Sequence, residues 1–565
     1  MMRNPRRWAG WPGCALAAGV LLLAACGADA GGGAGKNGKA KETGGRLVMG
    51  ELVEMNQPMP LVWGSDLDAD LVDMMYMGLT RPVWMDGRLA FHTAPESPMA
   101  IAWHYEFVGA DSLALRYNLR SGLRWSDGQP ITARDVIWTY KMMRDTVVAS
   151  PRQGDLAQID SAKADNDSTV TFYFKRRYPE MLFNTSFPVA PEHVFGSGAP
   201  KDIRQHPALV HPEGGKLVVS GPFRVKSWAR GQQVVFEPNP TFSPAPKLAE
   251  IVLRKVPDAN TRLTELRTGA LDVARPIAFD KAAELRAQAP NVRIARQEKR
   301  FYEYVAWNPR TVSAFRDPEI RRAMGMAIDA PAMIRRLQMQ DWAIPAAGPY
   351  PPILRTVYDT AVHALAYDPE GAKRILEGKG WRDTDGDGIR ERNGKPLRFT
   401  LMTNSGNQRR VDGAVMIQQA LKQIGADVQI ETIEYGTAFQ RQLKGEYDAA
   451  LLSWGVQLSP DLTGMWSPGQ QFNVVAYDNP RVNALFKQAQ AQPTEEAAAV
   501  YWKQAAAQIV RDQPYTWLYY YDQIIPVNDR VHDMRIDVYG LYQNPWAWWV
   551  SPGRNAGAGD SAASH

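Results

Sequence analysis

Cysteine is nearly absent from the chain: Cys14 and Cys26 are the only two in 565 residues. Both stand near the N-terminus, so the body of the protein has no disulfide framework and no thiolate metal site. Histidine is scarce as well, with eight residues. The nearest approach to a ligand pair is His206 and His211, with Pro207 between them and no cysteine pair nearby, which argues against a zinc centre. Neither sign of charge is in large excess: 65 basic residues against 60 acidic ones give +5. Arg3, Arg6 and Arg7 precede residue 25 without any acid, and setting them aside lowers the balance from +5 to +2. Nothing in that balance suggests a nucleic-acid surface. Gly-x-Ser-x-Gly, His-Glu-x-x-His and Walker A sequences are all missing. Carboxylates are plentiful, so residue type alone leaves a two-carboxylate glycosidase open, but nothing in the sequence favours one.

What is present fits a globular protein of two or three domains, with 45% hydrophobic and 22% charged residues. One apolar run, residues 15–25, follows the three N-terminal arginines and is too short to span a bilayer as a mature helix. It ends in Leu23-Ala24-Ala25-Cys26, which resembles a bacterial lipobox and implies cleavage before Cys26 and diacylation of its sulfur. Acyl chains would make an anchor and not a span. The Gly-, Ala- and Lys-rich stretch after it has no large apolar side chain to seed a core.

The strongest local signal lies in residues 113–143. Leu113, Leu115, Tyr117 and Leu119 alternate with Ala114, Arg116, Asn118 and Arg120, the period of a half-buried strand. Two tight turns come next, at Ser121-Gly122 and Ser126-Asp127-Gly128. Thr132 with Asp135 three residues on is close to a capping box, and Val136, Tyr140 and Met143 share one helical stripe. Any α/β domain can hold such a unit, but its wording is more specific. Leu119-Arg120, Gly122-Leu123-Arg124-Trp125-Ser126-Asp127-Gly128, Pro130-Ile131-Thr132-Ala133 and Asp135-Val136 together resemble the signature of the family-5 bacterial extracellular solute-binding proteins. These large receptors hand oligopeptides, dipeptides, nickel chelates and other solutes to ABC importers.

The resemblance runs in unbroken order over roughly residues 46–550. Residues 46–50 read as a first strand and 70–79 as a helix. Between them, residues 52–65, with Met55, Asn56 and Trp63, correspond to a loop through the ligand site in the resembling family, or else to a plain surface connection. A strand at 170–174 precedes a Pro-x-His segment, where His193 has no second histidine at metal spacing and is expected to make a structural hydrogen bond. A hairpin at 218–242, a strand at 251–256 and a helix at 260–267 ending at Gly269 come next. A strand at 302–308 leads into Asp317-Pro318, a well-specified helix start. Further helices are expected at 369–377, 410–424, 481–490 and 495–511, and strands at 397–402, 428–433 and 514–520. Trp546, Trp548 and Trp549 read as a core or inter-domain aromatic cluster.

Two stretches bear on ligands. Asp383, Asp385 and Asp387 followed by Gly388 imitate a calcium loop, but Gly394 stands where a bidentate Glu would complete it. They are weak calcium candidates, and no metal is expected. Residues 447–461 form a strand ending at Trp454, after which the family's loop lines the cleft. Peptide-binding members carry an Asp three residues after this Trp to capture the peptide ammonium; here Gln457 holds the place. An amide lacks the full charge, so the pocket is expected to favour a neutral or amide-complementary solute, unless Asp461 supplies the charge from another register. The ligand-binding residues implied by the resemblance are Met55, Asn56, Trp63, Tyr304, Trp454, Gln457, Asp461 and Trp466.

The expected fold is α/β: a two-lobed, periplasmic-binding-protein-like architecture of type II, in the large cluster C form with an extra domain. Residues 1–25 are a lipoprotein signal peptide and 26–45 a flexible tether. Residues 46–92, 206–309 and 525–550 form a discontinuous lobe I, with the extra domain at 93–205 inserted in it. Lobe II is 310–524, and 551–565 is a disordered tail. The implied function is that of a substrate-binding lipoprotein of an ABC importer. It captures a peptide, a peptide-like compound or another small solute between lobes that cross near residues 309 and 524, and delivers it to the permease's transmembrane subunits. It is expected to be a monomer without enzymatic activity, cofactor or nucleic-acid partner, lipid-anchored to a membrane in the cell envelope or periplasm through Cys26. A scaffold of the same build used for sensing or surface interaction, without transport, is the alternative.

Overall fold

Eleven strands build the main sheet: β1 (Arg46–Glu51), β2 (Phe223–Ala229), β3 (Gln233–Pro238), β4 (Glu250–Lys255), β5 (Val273–Arg275), β6 (Val292–Trp307), β7 (Ala343–Pro345), β8 (Arg398–Asn404), β9 (Asp427–Ile433), β10 (Ala449–Gly455) and β11 (Tyr515–Asn528). The computed structural model describes residues 43–85 and 87–552. Cys26, the leader, nearly all of the tether and residues 553–565 lie outside them. The strand order is β9-β8-β10-β6-β11-β5-β1-β4-β3-β2, with β7 added on β11. Runs such as Ile251-Val252-Leu253 and Val234-Val235-Phe236 are buried throughout, as expected of strands covered on both faces.

The pairing directions fix where the ends of the strands meet. β1 runs parallel to β4 and β5, and β8 runs parallel to β9 and β10. β5 and β6 both lie antiparallel to β11, with Val273 opposite Val527 and Val292 opposite Asn528. β10 runs against β6, from Ala449 beside Trp307 to Gly455 beside Phe301. Both parallel sets therefore point their carboxyl ends at one place from opposite sides. There the β6–β11 ribbon slips register, between Gln297 and Phe301. The slip comes before residue 309, where the lobe boundary was expected, and β6 is already paired with β10 of the second half by Phe301.

Six of the helices that pack around the sheets and their loops are α1 (Asp66–Met75), α2 (Ala133–Arg144), α3 (Gln408–Lys422), α4 (Tyr435–Lys444), α5 (Pro480–Gln490) and α6 (Glu495–Asp512). α1 starts four residues before the helix expected at 70–79, because the Ser65 hydroxyl accepts the Asp68 N–H at 3.1 Å and caps it there. Its end is also early: the Met77 N–H goes to the Ser220 hydroxyl and Gly78 bridges to Ala100 and Pro188, so residues 77–78 run as extended chain. α2 carries the expected box, with Thr132 and Asp135 capping each other's backbone.

α2 lies on a separate antiparallel sheet of four strands, Ala102–Val108, Ala114–Leu119, Thr169–Phe174 and Ile159–Asn166, in that spatial order. Leu115, Tyr117 and Leu119 face its core, as their alternation requires, each burial contributing about 1.5–3 kcal/mol. One hydrophobic cluster joins this sheet to β1, β2, β3 and β4 and to Trp548 near the other end of the chain. Two further clusters cover the two faces of the β8–β10 half. The His193 ring meets the Asp127 carboxylate at 2.7 Å, the structural contact expected of it. Among the described residues no helix is long and apolar enough to cross a membrane.

Candidate functional site

Open α/β sheets bind ligands beyond the carboxyl ends of their strands, where the order reverses. On the first side of the β6–β11 slip, β1 ends in Glu51 and β5 in Arg275, and α1 brings Asp70. Arg275 donates to Glu51 at 2.6 Å and forms an ion pair with Asp70 at 3.0 Å. Burial pushes both carboxyl groups above their ordinary range, and Arg275 only partly opposes this. Burial also works against the Arg275 charge, but Glu51 and Asp70 together outweigh it and hold the guanidinium well above its ordinary value. The trio carries one excess negative charge when fully ionised.

On the second side the balance is reversed. Glu303 on β6 is 0% exposed and takes Arg409 at 2.7 Å and Arg410 at 2.5 Å. Arg409 also donates to the Tyr519 hydroxyl at 2.8 Å, and Arg410 to Asn404 Oδ1 at 2.6 Å and to the Ser453 hydroxyl. Asn404 ends β8, and both arginines stand in the first turn of α3, so strand end and helix start build the network together. Burial opposes both cations, yet the Glu303 carboxylate outweighs it and raises each above its ordinary value. One positive charge is in excess.

Beside this network stands an aromatic wall. Trp454, near the end of β10, meets Phe439 and Phe472 edge-on, with centroids at 6.0 and 5.7 Å, and its ring is parallel to Tyr304 at 6.2 Å. Tyr435 stacks on Phe439 at 6.1 Å. Tyr435 is 52% exposed and Phe472 37%, so the wall keeps an open face. Asp66 at the start of α1 and Arg410 both lie within electrostatic reach of the Tyr435 hydroxyl.

The sequence-expected residues divide accordingly. Tyr304, Trp454 and Trp466 meet through Tyr515: Tyr304 stacks on it at 4.2 Å, Trp466 lies edge-on at 4.7 Å, and the Trp454 N–H donates to its hydroxyl at 3.3 Å. Tyr304 and Trp466 are fully buried and back the wall, and the Tyr304 hydroxyl accepts from Gln442 of α4 at 2.7 Å. Met55 is a buried core residue, Trp63 packs half-buried against the same core cluster, and exposed Asn56 gives its N–H to Asp68 at 2.8 Å. These three belong to the first side and not to the aromatic group. Gln457 is exposed, and the Arg300 Nε–H, from the slipped part of β6, donates to the neighbouring Val456 carbonyl at 2.8 Å. Asp461 is held elsewhere: it accepts the Thr463 N–H at 2.8 Å on one oxygen and the Gln490 amide at 2.8 Å on the other. Both of its oxygens are thus engaged by groups of its own half of the molecule.

Sequence reasoning missed Tyr435, Phe439, Phe472 and the Glu303–Arg409–Arg410 group. The stripe of Phe439, Gln442 and Leu443 was the available sign of α4, weakened by Gly436 in its first turn.

The Asp383 loop draws Glu391 in where Gly394 could not serve, and ligand oxygens of Asp383, Asp385, Asp387 and Glu391 lie within 4.8 Å of one another. Backbone N–H groups of the loop already occupy them: Gly386 and Gly388 bond Asp383, Ile389 bonds Asp387 and Thr384 bonds Glu391, at 2.7–3.0 Å. A groove of about 550 Å³ adjoins the loop, lined by Glu377, Arg382, Asp383, Arg390 and Lys422. It lies at the amino ends of β8 and β9, away from the carboxyl ends.

A profile described as bacterial extracellular solute-binding proteins, family 5 Middle, matches residues 98–475. The oligopeptide-binding protein AppA of Bacillus subtilis is 27% identical over 545 residues, 94% of this chain and 97% of its own length. Its structure in complex with a nonapeptide superposes with a TM-score of 0.79 at 25% identity, covering 91% of this chain and all of that one. The glutathione-binding protein GsiB of Pectobacterium atrosepticum is 27% identical over 73% of this chain and 78% of its own. NikZ of Campylobacter jejuni, solved with Ni(L-His), shares the fold with a TM-score of 0.77 at 21% identity, covering 90% of this chain and 99% of that one.

Proposed function

The chain belongs to the family-5 bacterial extracellular solute-binding proteins, non-enzymatic receptors with the two-lobed type II fold, and on that footing we propose that it captures a peptide-like or other small solute between its lobes and delivers it to an ABC permease. The carrying observation is the convergence of two sets of strand carboxyl ends on one slip of the β6–β11 ribbon, with oppositely weighted buried charges on its two sides. Hinge bending at residues 297–301 of β6 and their β11 partners brings those sides together on the solute.

The preferred solute carries an acceptor or anionic group toward Arg409 and Arg410 and an apolar or ring-bearing part against Trp454, Phe439, Tyr435 and Phe472. Gln457, with Arg300 beside it, offers donors and no carboxylate to a ligand's head group. A free peptide ammonium placed there loses a charge-assisted bond, a difference of about 1.5–3 kcal/mol or roughly ten- to a hundred-fold in affinity. Native mass spectrometry of the purified protein identifies any retained solute. Calorimetry then compares a pool of tri- to pentapeptides with the same pool N-acetylated, the acetylated pool being expected to bind at least as well. Tight binding of the free peptides alone, lost in Asp461→Asn, overturns the reading of Gln457.

A lipid anchor at Cys26 completes the proposed receptor, supported by the lipobox-like Leu23-Ala24-Ala25-Cys26. Cys26→Ser is expected to leave the protein without acyl chains and in the aqueous phase of a detergent partition. A variant that still partitions with the membrane shows the anchor to lie elsewhere.

A further inference from the structure

The lobes meet a second time, away from the strand ends. Glu180 precedes the short helix Met181–Thr185 in the inserted region, and its carboxyl oxygen lies 3.2 Å from the Ser459 hydroxyl, 279 residues further on. Close by, Arg176 donates to Gln490 of α5 at 3.2 Å, and Gln490 donates to Asp461 at 2.8 Å.

Glu180 is 9% exposed. The groups facing it from the second lobe are the carboxylates of Asp461 and of Glu495 at the start of α6, and the hydroxyl of Tyr350, which donates to the Pro460 carbonyl at 2.6 Å. From its own segment come Tyr178, whose hydroxyl accepts from Asn184 at 3.0 Å, and Arg176, whose guanidinium is turned to Gln490 and Gln158. Asp155 lies near Tyr178, and Arg88 faces Glu495. Among the described residues no cation is bonded to Glu180. A buried carboxylate with other carboxylates as its charged neighbours and no cation is the arrangement that ionisation destabilises most.

We propose that Glu180 is a proton-operated latch: the lobes close on its protonated form, and its ionisation drives them apart. This rests on the two-lobe receptor reading. With the lobes apart the group faces water at its ordinary value near 4.5; in the closed arrangement burial, and after it the Asp461 charge, pushes it up to about 8. A group raised on closure favours the closed form fully below the open value and loses that effect as pH rises through the closed value. Closure therefore takes up a proton from solvent across this window. The closed-to-open ratio falls by at most tenfold per pH unit as pH rises, levelling off above about 8.

The test places spin labels at Ala157→Cys and Ala491→Cys, both exposed and one on each side of the contact, in the full chain with Cys14→Ser and Cys26→Ser. Pulsed distance measurements without added solute are expected to shift from a short to a long separation between pH 5.5 and 8.5. Glu180→Gln holds the short separation at both values. Asp461→Asn, as a second variant, weakens the response because one facing charge is gone. A wild-type separation that ignores pH, or the same response in wild type and Glu180→Gln, overturns the latch. If native mass spectrometry finds a retained solute while the pH response is absent, the latch fails and the receptor stands. A pH-gated separation in a protein shown to bind no solute has the opposite meaning.

Discussion

At the ends of β1 and β5 two carboxylates share one guanidinium, whereas beside the ends of β8 and β10 two guanidiniums share one carboxylate. The wiring is alike, but the two groups respond differently to being buried. Glu51 and Asp70 can shed their charge by binding a proton, and burial already pushes them that way. A guanidinium has no such outlet at any ordinary pH. The first side of the cleft is therefore adjustable and the second fixed. A fixed positive wall suits a site that must always present donors, and an adjustable one suits a wall that meets ligands of varied charge.

Removing the shared partner from each network should separate the two. Glu303→Gln leaves two buried guanidiniums without a counter-charge, which costs about 3–5 kcal/mol in urea unfolding. Arg275→Gln leaves two carboxylates that can protonate, and its cost at pH 6 is expected to be clearly smaller. Equal losses, or a larger one for Arg275→Gln, show that the first side is no more adjustable than the second.

The two networks should also differ, by less, in their response to pH. Raised carboxyl values mean that stability from the first network is present below the ordinary values of Glu51 and Asp70 and is lost as pH rises through their folded ones. Removing Arg275 takes away the opposing charge, so the penalty of Arg275→Gln should grow between pH 5 and 8, by at most about 1.4 kcal/mol per unit for each proton involved. The penalty of Glu303→Gln should stay level over the same range. Unfolding midpoints at four pH values distinguish a rising line from a flat one, and two parallel lines count against the contrast.

Local signals in the sequence carried far for the fold and less far for the site. Thr132 with Asp135, Asp317-Pro318 and Gly269 mark helix ends where the structure has them, because a cap is a local bond between near neighbours. The first half of β6 was hidden: Arg293, Arg296, Glu298, Lys299 and Arg300 break any alternation of apolar residues. That strand is held by long pairing with β11 rather than by one buried face. α4 was hidden by Gly436 in its first turn. Trp454, Tyr304 and Trp466 were proposed from the family's order, and the structure brings them together around Tyr515. Glu303 could not be matched to Arg409 and Arg410, since more than a hundred residues separate the partners and no spacing rule joins them.

The first core cluster has a consequence in time. It takes Leu47 and Met49 from one end of the folded region and Tyr542, Trp548 and Val550 from the other, and β5 is paired on its far side by β11. A chain emerging from synthesis therefore holds the first lobe with an unpaired sheet edge and a gap in its core until residues 515–550 arrive. Contacts that span nearly the whole sequence are slow to form, and partly formed lobes expose apolar surface meanwhile. The lobe whose first strand is made earliest is thus the one completed last.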